Sequence, residues 1–166
     1  MKIYAISDTH FNHKMLVEKG YRPEDFEARI LDSIFKLSGD ILIHCGDFAI
    51  GQDELGIRMY MDAAKNFKKK ILVRGNHDGK SDAWYTDRGF DFVCESFVNK
   101  YFGKRLIFTH IPVAKSDRFD LNIHGHMHGN AHRYEGEIAK LYDTSFHRDL
   151  APEIRDYAPV NLQNIV

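Results

Sequence analysis

Apolar residues occur in short runs along this chain, and each run is followed by polar residues that can bind metals or move protons. Ile3-Tyr4-Ala5-Ile6 leads to Asp8 and His10, and Ile41-Leu42-Ile43 leads to Gly46-Asp47. Ile71-Leu72-Val73 leads to Gly75-Asn76-His77-Asp78, and Leu106-Ile107-Phe108 leads to His110. Leu121-Asn122-Ile123 leads to His124-Gly125-His126-Met127-His128. Runs of this length, rich in β-branched residues, predict buried strands. Between the first three the period becomes helical. Arg22-Pro23-Glu24-Asp25 opens a helix, because proline suits the first turn and acids complement the dipole there. Phe26, Ile30, Ile34 and Leu37 then recur at helical spacing until Ser38-Gly39 stops them. A second helix is predicted over about Asp53 to Asn66, with Leu55, Met59, Tyr60 and Ala63 inward.

With strands over Met1 to Ser7, Asp40 to His44 and Lys70 to Val73, the first half reads β-α-β-α-β, which implies parallel pairing. The second half predicts a short helix over Ser81 to Asp87 and strands over Phe92 to Phe102, Lys104 to Thr109, Leu121 to His124 and Ile138 to Tyr142. Gly103 marks a hairpin. These strands form a second, mixed sheet packed on the first. After Leu150 the pattern decides nothing. Ligands of open α/β sheets bind beyond the carboxyl ends of the strands. The five polar groups would therefore share one rim.

Composition narrows the classes. The 166 residues, 43% of them apolar, suit one domain with an ordinary core. A net charge of −1 argues against a broad footprint for nucleic acid or an acidic membrane. Cys45 and Cys94 share no spacing motif, so reduced thiols in a cytoplasmic protein are expected. Neither a signal peptide nor a transmembrane run is expected. The outlier is histidine, with ten residues. Seven of them (His10, His44, His77, His110, His124, His126 and His128) lie on or just after the five strands.

Asp8 and His10 are two residues apart, and an extended backbone would put both side chains on one side. The same holds for His126 and His128, with Gly125 allowing close backbone approach. Asp47 has two oxygens that could bridge two cations. Asn76 offers a carbonyl oxygen without charge. Such mixed nitrogen and oxygen donors suit Mn, Fe, Zn, Co or Ni rather than Ca. The pool exceeds what one tetrahedral zinc needs, and two metals sharing Asp47 would use it.

Asp8-x-His10, Gly46-Asp47, Gly75-Asn76-His77-Asp78, His110 and Gly125-His126-x-His128 together resemble the calcineurin-like metallophosphoesterases, in the family's order and over nearly the whole chain. The resemblance implies an α/β fold, a four-layer α/β/β/α sandwich with two mixed β-sheets. It implies that Asp8, His10 and His128 hold a first divalent metal, with Asp47 bridging, and that Asn76, His110 and His126 complete the second. His77 would face the substrate as general acid, oriented by Asp78. The implied reaction is phosphoester hydrolysis by in-line attack of a metal-bridging hydroxide, with manganese as the leading cation. The substrate would be a small or nucleotide-like phosphoester. Arg74, Asn12 and His13 are candidate substrate contacts, each against a structural reading. His44 and His124 read as core residues that orient ligands, and His147 as surface or pocket rim.

Two branches of the family fit poorly. The Ser/Thr protein phosphatases carry Asp-Arg-Gly where this chain has Asp47-Phe48-Ala49, and the repair nucleases add a capping domain and coiled-coil arms that this chain does not show. The small, bare-domain phosphodiesterases and phosphatases remain. The alternative is a non-catalytic scaffold, like a retromer subunit that resembles the family yet has lost a catalytic histidine. The complete donor set here weighs against it. The loops that would choose a substrate run over about Ile50 to Gly56, Gly79 to Gly89, Ala114 to Asp120 and Gly129 to Gly136.

Overall fold

Strand β1 (Ile3–Ile6) sends alternate side chains into two separate apolar clusters, and this alternation sets the layers. Ile3 and Ala5 enter one cluster, Tyr4 and Ile6 the other. Strand β2 (Gly39–His44) repeats the pattern, with Ile41 and Ile43 on one side and Leu42 on the other, and β3 (Phe67–Val73) does so with Val73 and Leu72. A period of two with both faces apolar is the pattern of a sheet covered on both sides. The computed structural model describes residues 1–130, 132 and 135–166. Residues 131, 133 and 134, within the fourth predicted loop, lie outside the described residues.

The first cluster packs one face of the sheet against helices α2 (Phe26–Phe35) and α3 (Asp53–Ala63), through Phe26, Ile30, Ile34, Ile57 and Tyr60. The second lies between two sheets and joins Ile3, Ala5, Ile43 and Val73 to Leu106, Phe108, Leu121 and Ile123. The first sheet has the order β4-β3-β2-β1-β9. Its β4 is Phe92–Cys94 and its β9 is Val160–Asn161; β9 alone runs antiparallel. The second sheet has the order β5-β6-β7-β8, from Ser96–Tyr101, Lys104–Thr109, Leu121–His124 and His147–Asp149. There β5 and β6 form the antiparallel hairpin, and the other pairs are parallel. Both sheets are therefore mixed, and they form the centre of the α/β/β/α sandwich. The outer cover of the second sheet is thin. Helix α5 (Gly136–Leu141) buries no residue, and Tyr142 after it stacks on His147 with ring centroids 4.6 Å apart. No helix among the described residues is long and apolar enough to cross a membrane.

The structure corrects several local expectations. Ile138 to Tyr142 is not a strand; its residues fall mostly in α5. Phe92 to Phe102 is not one strand but two, and the chain passes from one sheet to the other at Glu95. The buried side of α3 is Gly56, Ile57, Tyr60 and Ala63; Leu55 and Met59 are only partly buried. The helix also stops at Ala63 and tightens to a 3-10 turn over Ala64–Asn66. One short helix went unpredicted, α1 (Lys14–Glu18), whereas the short helix expected over Ser81 to Asp87 is present as α4 (Asp82–Thr86), with Ser81 and Asp87 as its caps. His147 is buried in β8, not on the surface.

Candidate metal centre

All five polar groups meet where β1, β2, β3, β6 and β7 end. The loop after β1 lies along the loop after β2: the Asp8, His10 and Phe11 N–H groups donate to Gly46, Asp47 and Phe48 carbonyls at 2.8, 3.0 and 3.0 Å. The loop after β3 is fastened to the same place by Asp78. Its carboxylate accepts from the Asp47 and Phe48 N–H groups, both at 2.9 Å, and from Gly75 N–H at 2.7 Å. The loop after β7 is tied in by the His126 N–H, 3.0 Å from Asp8 Oδ2.

Two groups of side chains result. Asp8, His10 and His128 form one, and Asp47, His110 and His126 form the other; within each, one donor atom per residue lies within 4.8 Å of the others. Asp47 Oδ2 joins them, 3.6 Å from His10 Nε2 and 3.3 Å from His110 Nε2. His128 Nε2 is 3.4 Å from Asp8 Oδ1. Asn76 Oδ1 and His126 Nδ1 approach His110 Nε2 at 3.1 and 3.2 Å. Donors about 2.1 Å from a shared cation lie roughly 3.0–3.5 Å from each other. The observed spacings match that, and several are too long for good hydrogen bonds.

Close approach demands glycine at two points. A Cβ on Gly125 would strike Asp8 Oδ2 and Ser7, and one on Gly75 would strike Asp47 Oδ1 and its amide. The backbone is also unusual. Asp8, His10, Asn12, Asp47, His126 and His128 all have positive φ, between 46° and 71°. Left-handed conformations of non-glycine residues cost about 1–3 kcal/mol each and collect at functional sites. This corrects the extended-strand argument for Asp8 with His10 and for His126 with His128. Both pairs converge, but through left-handed turns beyond the strand ends.

The electrostatics suit a cation. Burial raises the Asp8 carboxyl above the ordinary range, with His128 only partly offsetting it. Burial also pushes His10 down to about 2, which keeps its imidazole neutral with a lone pair to offer. Burial works against charge on Asp47 and on His110 as well. Their mutual hydrogen bond overrides it, drawing Asp47 below the carboxylate range and pushing His110 up to about 9. Two buried carboxylates lie beside the neutral His10 ring, and hard or borderline divalent cations would satisfy them.

The remaining predicted residues are placed as follows. His77 stands at the rim with its side chain 48% exposed and Nε2 3.9 Å from Asp47 Oδ2. Asp78 binds backbone N–H groups as described; no hydrogen bond to the His77 ring is present among the described residues, so the expected orienting contact is replaced by a loop-fastening one. Arg74 is ion-paired to Asp82 and Glu95, at 3.1 and 3.3 Å, beside a second cleft. Asn12 donates to the Gln52 carbonyl at 3.2 Å, and the His13 ring lies 5.4 Å from that of His10. His44 is fully buried; Gly46 N–H donates to its Nδ1, so its Nε2–H donates to Thr9 Oγ1 at 2.9 Å. His124 is buried on the outer side of β7 against Tyr142 and His147.

Sequence reasoning missed two residues. Arg22, buried, donates to the Asp8 carbonyl at 2.7 Å and to the Thr9 carbonyl at 3.0 Å. It pairs with Glu153 at 2.8 Å, and Glu153 Oε1 is 3.0 Å from His128 Nδ1. No spacing rule links positions 131 residues apart.

Comparison with known proteins agrees with this geometry. Residues 1–153 match the family model described as calcineurin-like phosphoesterase. The chain is 27% identical over 176 residues to an uncharacterized protein of Methanocaldococcus jannaschii, covering 99% of this chain and 89% of that one. It is similar to a protein of unknown function from Aquifex aeolicus, with 29% identity, a TM-score of 0.77 and coverage of 99% and 97% of the two chains. The nuclease MPE of Pseudomonas putida shares the fold, with 23% identity, a TM-score of 0.50 and coverage of 76% and 61%.

Proposed function

The chain belongs to the calcineurin-like phosphoesterase family, and from that premise we propose that it is a hydrolase of small phosphoesters working with two divalent cations. The whole chain would serve as one catalytic domain. The observation that carries this reading is Asp47 Oδ2 standing between His10 and His110, one from each donor group. Asp8, His10 and His128 would hold one cation, Asn76, His110 and His126 the other, with Asp47 shared. Manganese is our first choice, with Fe, Ni, Zn or Co as alternatives. When bound, such a pair polarises phosphoryl oxygens and makes attacking water acidic.

The chain's own residues supply the rest. Asp78 and Arg22 fix the loops so that the donors need no rearrangement, which is the preorganisation that fast catalysis requires. His77 is the one histidine of the cluster that is half open to solvent, so a substrate's leaving oxygen can reach its ring and take a proton there. The net charge of −1 spread over the surface gives no long-range pull on phosphate; attraction would be local to the cations.

The decisive experiment strips the protein with chelator and restores Mn²⁺, Ni²⁺, Co²⁺ or Zn²⁺. Hydrolysis of bis-p-nitrophenyl phosphate and p-nitrophenyl phosphate is followed in parallel. Metal-dependent turnover of either is expected. No turnover of either ester with any of the four cations would sink the catalytic reading.

A further inference from the structure

Beside His77 the rim opens into a cleft of about 520 Å³, between the loop after β2 and the loop carrying α4. These are two of the loops expected to choose the substrate. One wall is the indole of Trp84. The residue sits on an anchored turn, where the Trp84 backbone N–H donates to Ser81 Oγ at 3.2 Å to cap α4, and the Arg88 guanidinium holds the ring itself, 4.0 Å from its centre. Arg88 is itself held by Glu54 at 2.7 Å. Such a platform is already rigid before anything stacks on it, so little entropy is lost on binding.

The charges in the cleft are mated to each other. Lys80 lies 4.0 Å from Asp53, and Glu54 is paired with Arg88. Among the described residues Lys80 is the one lysine or arginine lining the cleft, and it faces Asp53 and lies over the Trp84 ring 5.9 Å from its centre, so no free cation waits there for a second phosphate. Yet Gln52 and Asp53, where the loop after β2 enters α3, also line the cleft and carry hydrogen-bonding groups. The volume falls in the range of small-molecule sites. A planar, uncharged, hydrogen-bonding ring fits this lining; a polyphosphate or an aliphatic chain does not.

We propose that this cleft is the subsite for a nucleobase carried by the phosphoester, with Trp84 as its stacking platform. The inference rests on the phosphoester reading above and makes its substrate a nucleotide-type ester. It is not a strand-binding groove, because the chain carries no excess of cations to track a phosphate backbone.

Trp84 is the only tryptophan of the chain, so indole emission reports on this cleft alone. The Zn²⁺-loaded protein is titrated with adenosine 5′-monophosphate and with ribose 5-phosphate, exciting at the red edge of indole absorption where adenine is transparent. Saturable quenching by the nucleotide and none by the sugar phosphate is expected. Calorimetry on Trp84→Leu should show nucleotide affinity lowered roughly ten- to hundred-fold, the usual worth of one base–aromatic stack. Trp84→Phe should retain most of it, and ribose 5-phosphate should bind all three proteins alike. Equal affinity of wild-type protein for the two ligands, or unchanged nucleotide affinity in Trp84→Leu, would overturn the inference. Base-dependent quenching in a protein that hydrolyses no ester would instead end the catalytic reading and leave the cleft assignment standing.

Discussion

Glu153 Oε1 accepts the Nδ1–H of His128 at 3.0 Å, which turns Nε2 of that ring toward Asp8. Burial opposes charge on Glu153, but His128 and Arg22 together hold its carboxyl below the ordinary range. A carboxylate behind a ligating imidazole fixes its tautomer and raises its basicity. Glu153→Gln should therefore weaken the cation held by Asp8, His10 and His128 by about 10–100-fold. The group around Asp47, His110 and His126 should be little changed. Titration with Co²⁺, read by absorption, should show one tight and one weakened step where the parent shows two tight ones. Equal weakening of both steps would mean that the substitution acts on the fold at large.

Gly125→Ala places a methyl group against Asp8 Oδ2 and the Ser7 side chain. Neither neighbour is the far end of a flexible chain, so the loop must move. Metal content after purification should fall to at most one equivalent. Calorimetry should show a loss of about 1–3 kcal/mol, as for other overpacked sites. Full metal content at wild-type stability would refute the close packing of that loop on Asp8.

His77→Ala should lower turnover by about 10²–10⁴-fold, the usual contribution of a positioned acid. Its side chain is half exposed and outside both donor groups. Metal content should thus match the parent. Loss of metal from this variant would show that His77 is a ligand and that the acid lies elsewhere.

Acid sensitivity of the metal-free protein should trace to buried histidines. Burial holds His44 at about 3, against about 6.5 in an unfolded chain. Below that upper value the unfolded state takes up a proton that the folded state refuses, so stability falls as pH drops from about 6.5 toward 3, by about 1.4 kcal/mol per pH unit for one such group. His10 and His124 act in the same sense. His110 acts oppositely: its raised value adds stability below about 6.5 that is lost as pH rises through about 9. In His44→Gln, the slope of urea-unfolding stability against pH between 4 and 6 should lessen by about one proton's worth. An unchanged slope would mean that His44 is protonated in the fold.

Much of this was legible in the chain. The apolar runs of Ile3, Ile41, Ile71, Leu106 and Leu121 each became a strand, and each polar group beyond them reached the common rim. Where the reading failed, the signal was short or remote. Glu95 is a single polar residue between Cys94 and Ser96, so nothing in the pattern announced a passage between sheets. Ile138, Leu141 and Tyr142 are too few to tell a helical period from an alternating one. Arg22 and Glu153 act together across most of the chain, a relation that only the folded topology creates. Trp84 carries no signal of its own beyond lying in the Gly79 to Gly89 loop, and only the folded chain sets that loop beside His77.

The left-handed residues around the rim set a conflict between endurance and usefulness. At Asp8, His10, Asp47, His126 and His128 the backbone would be more comfortable as glycine. A laboratory lineage bred only to survive heating should drift toward glycine at those positions and emerge sturdier, yet chemically mute.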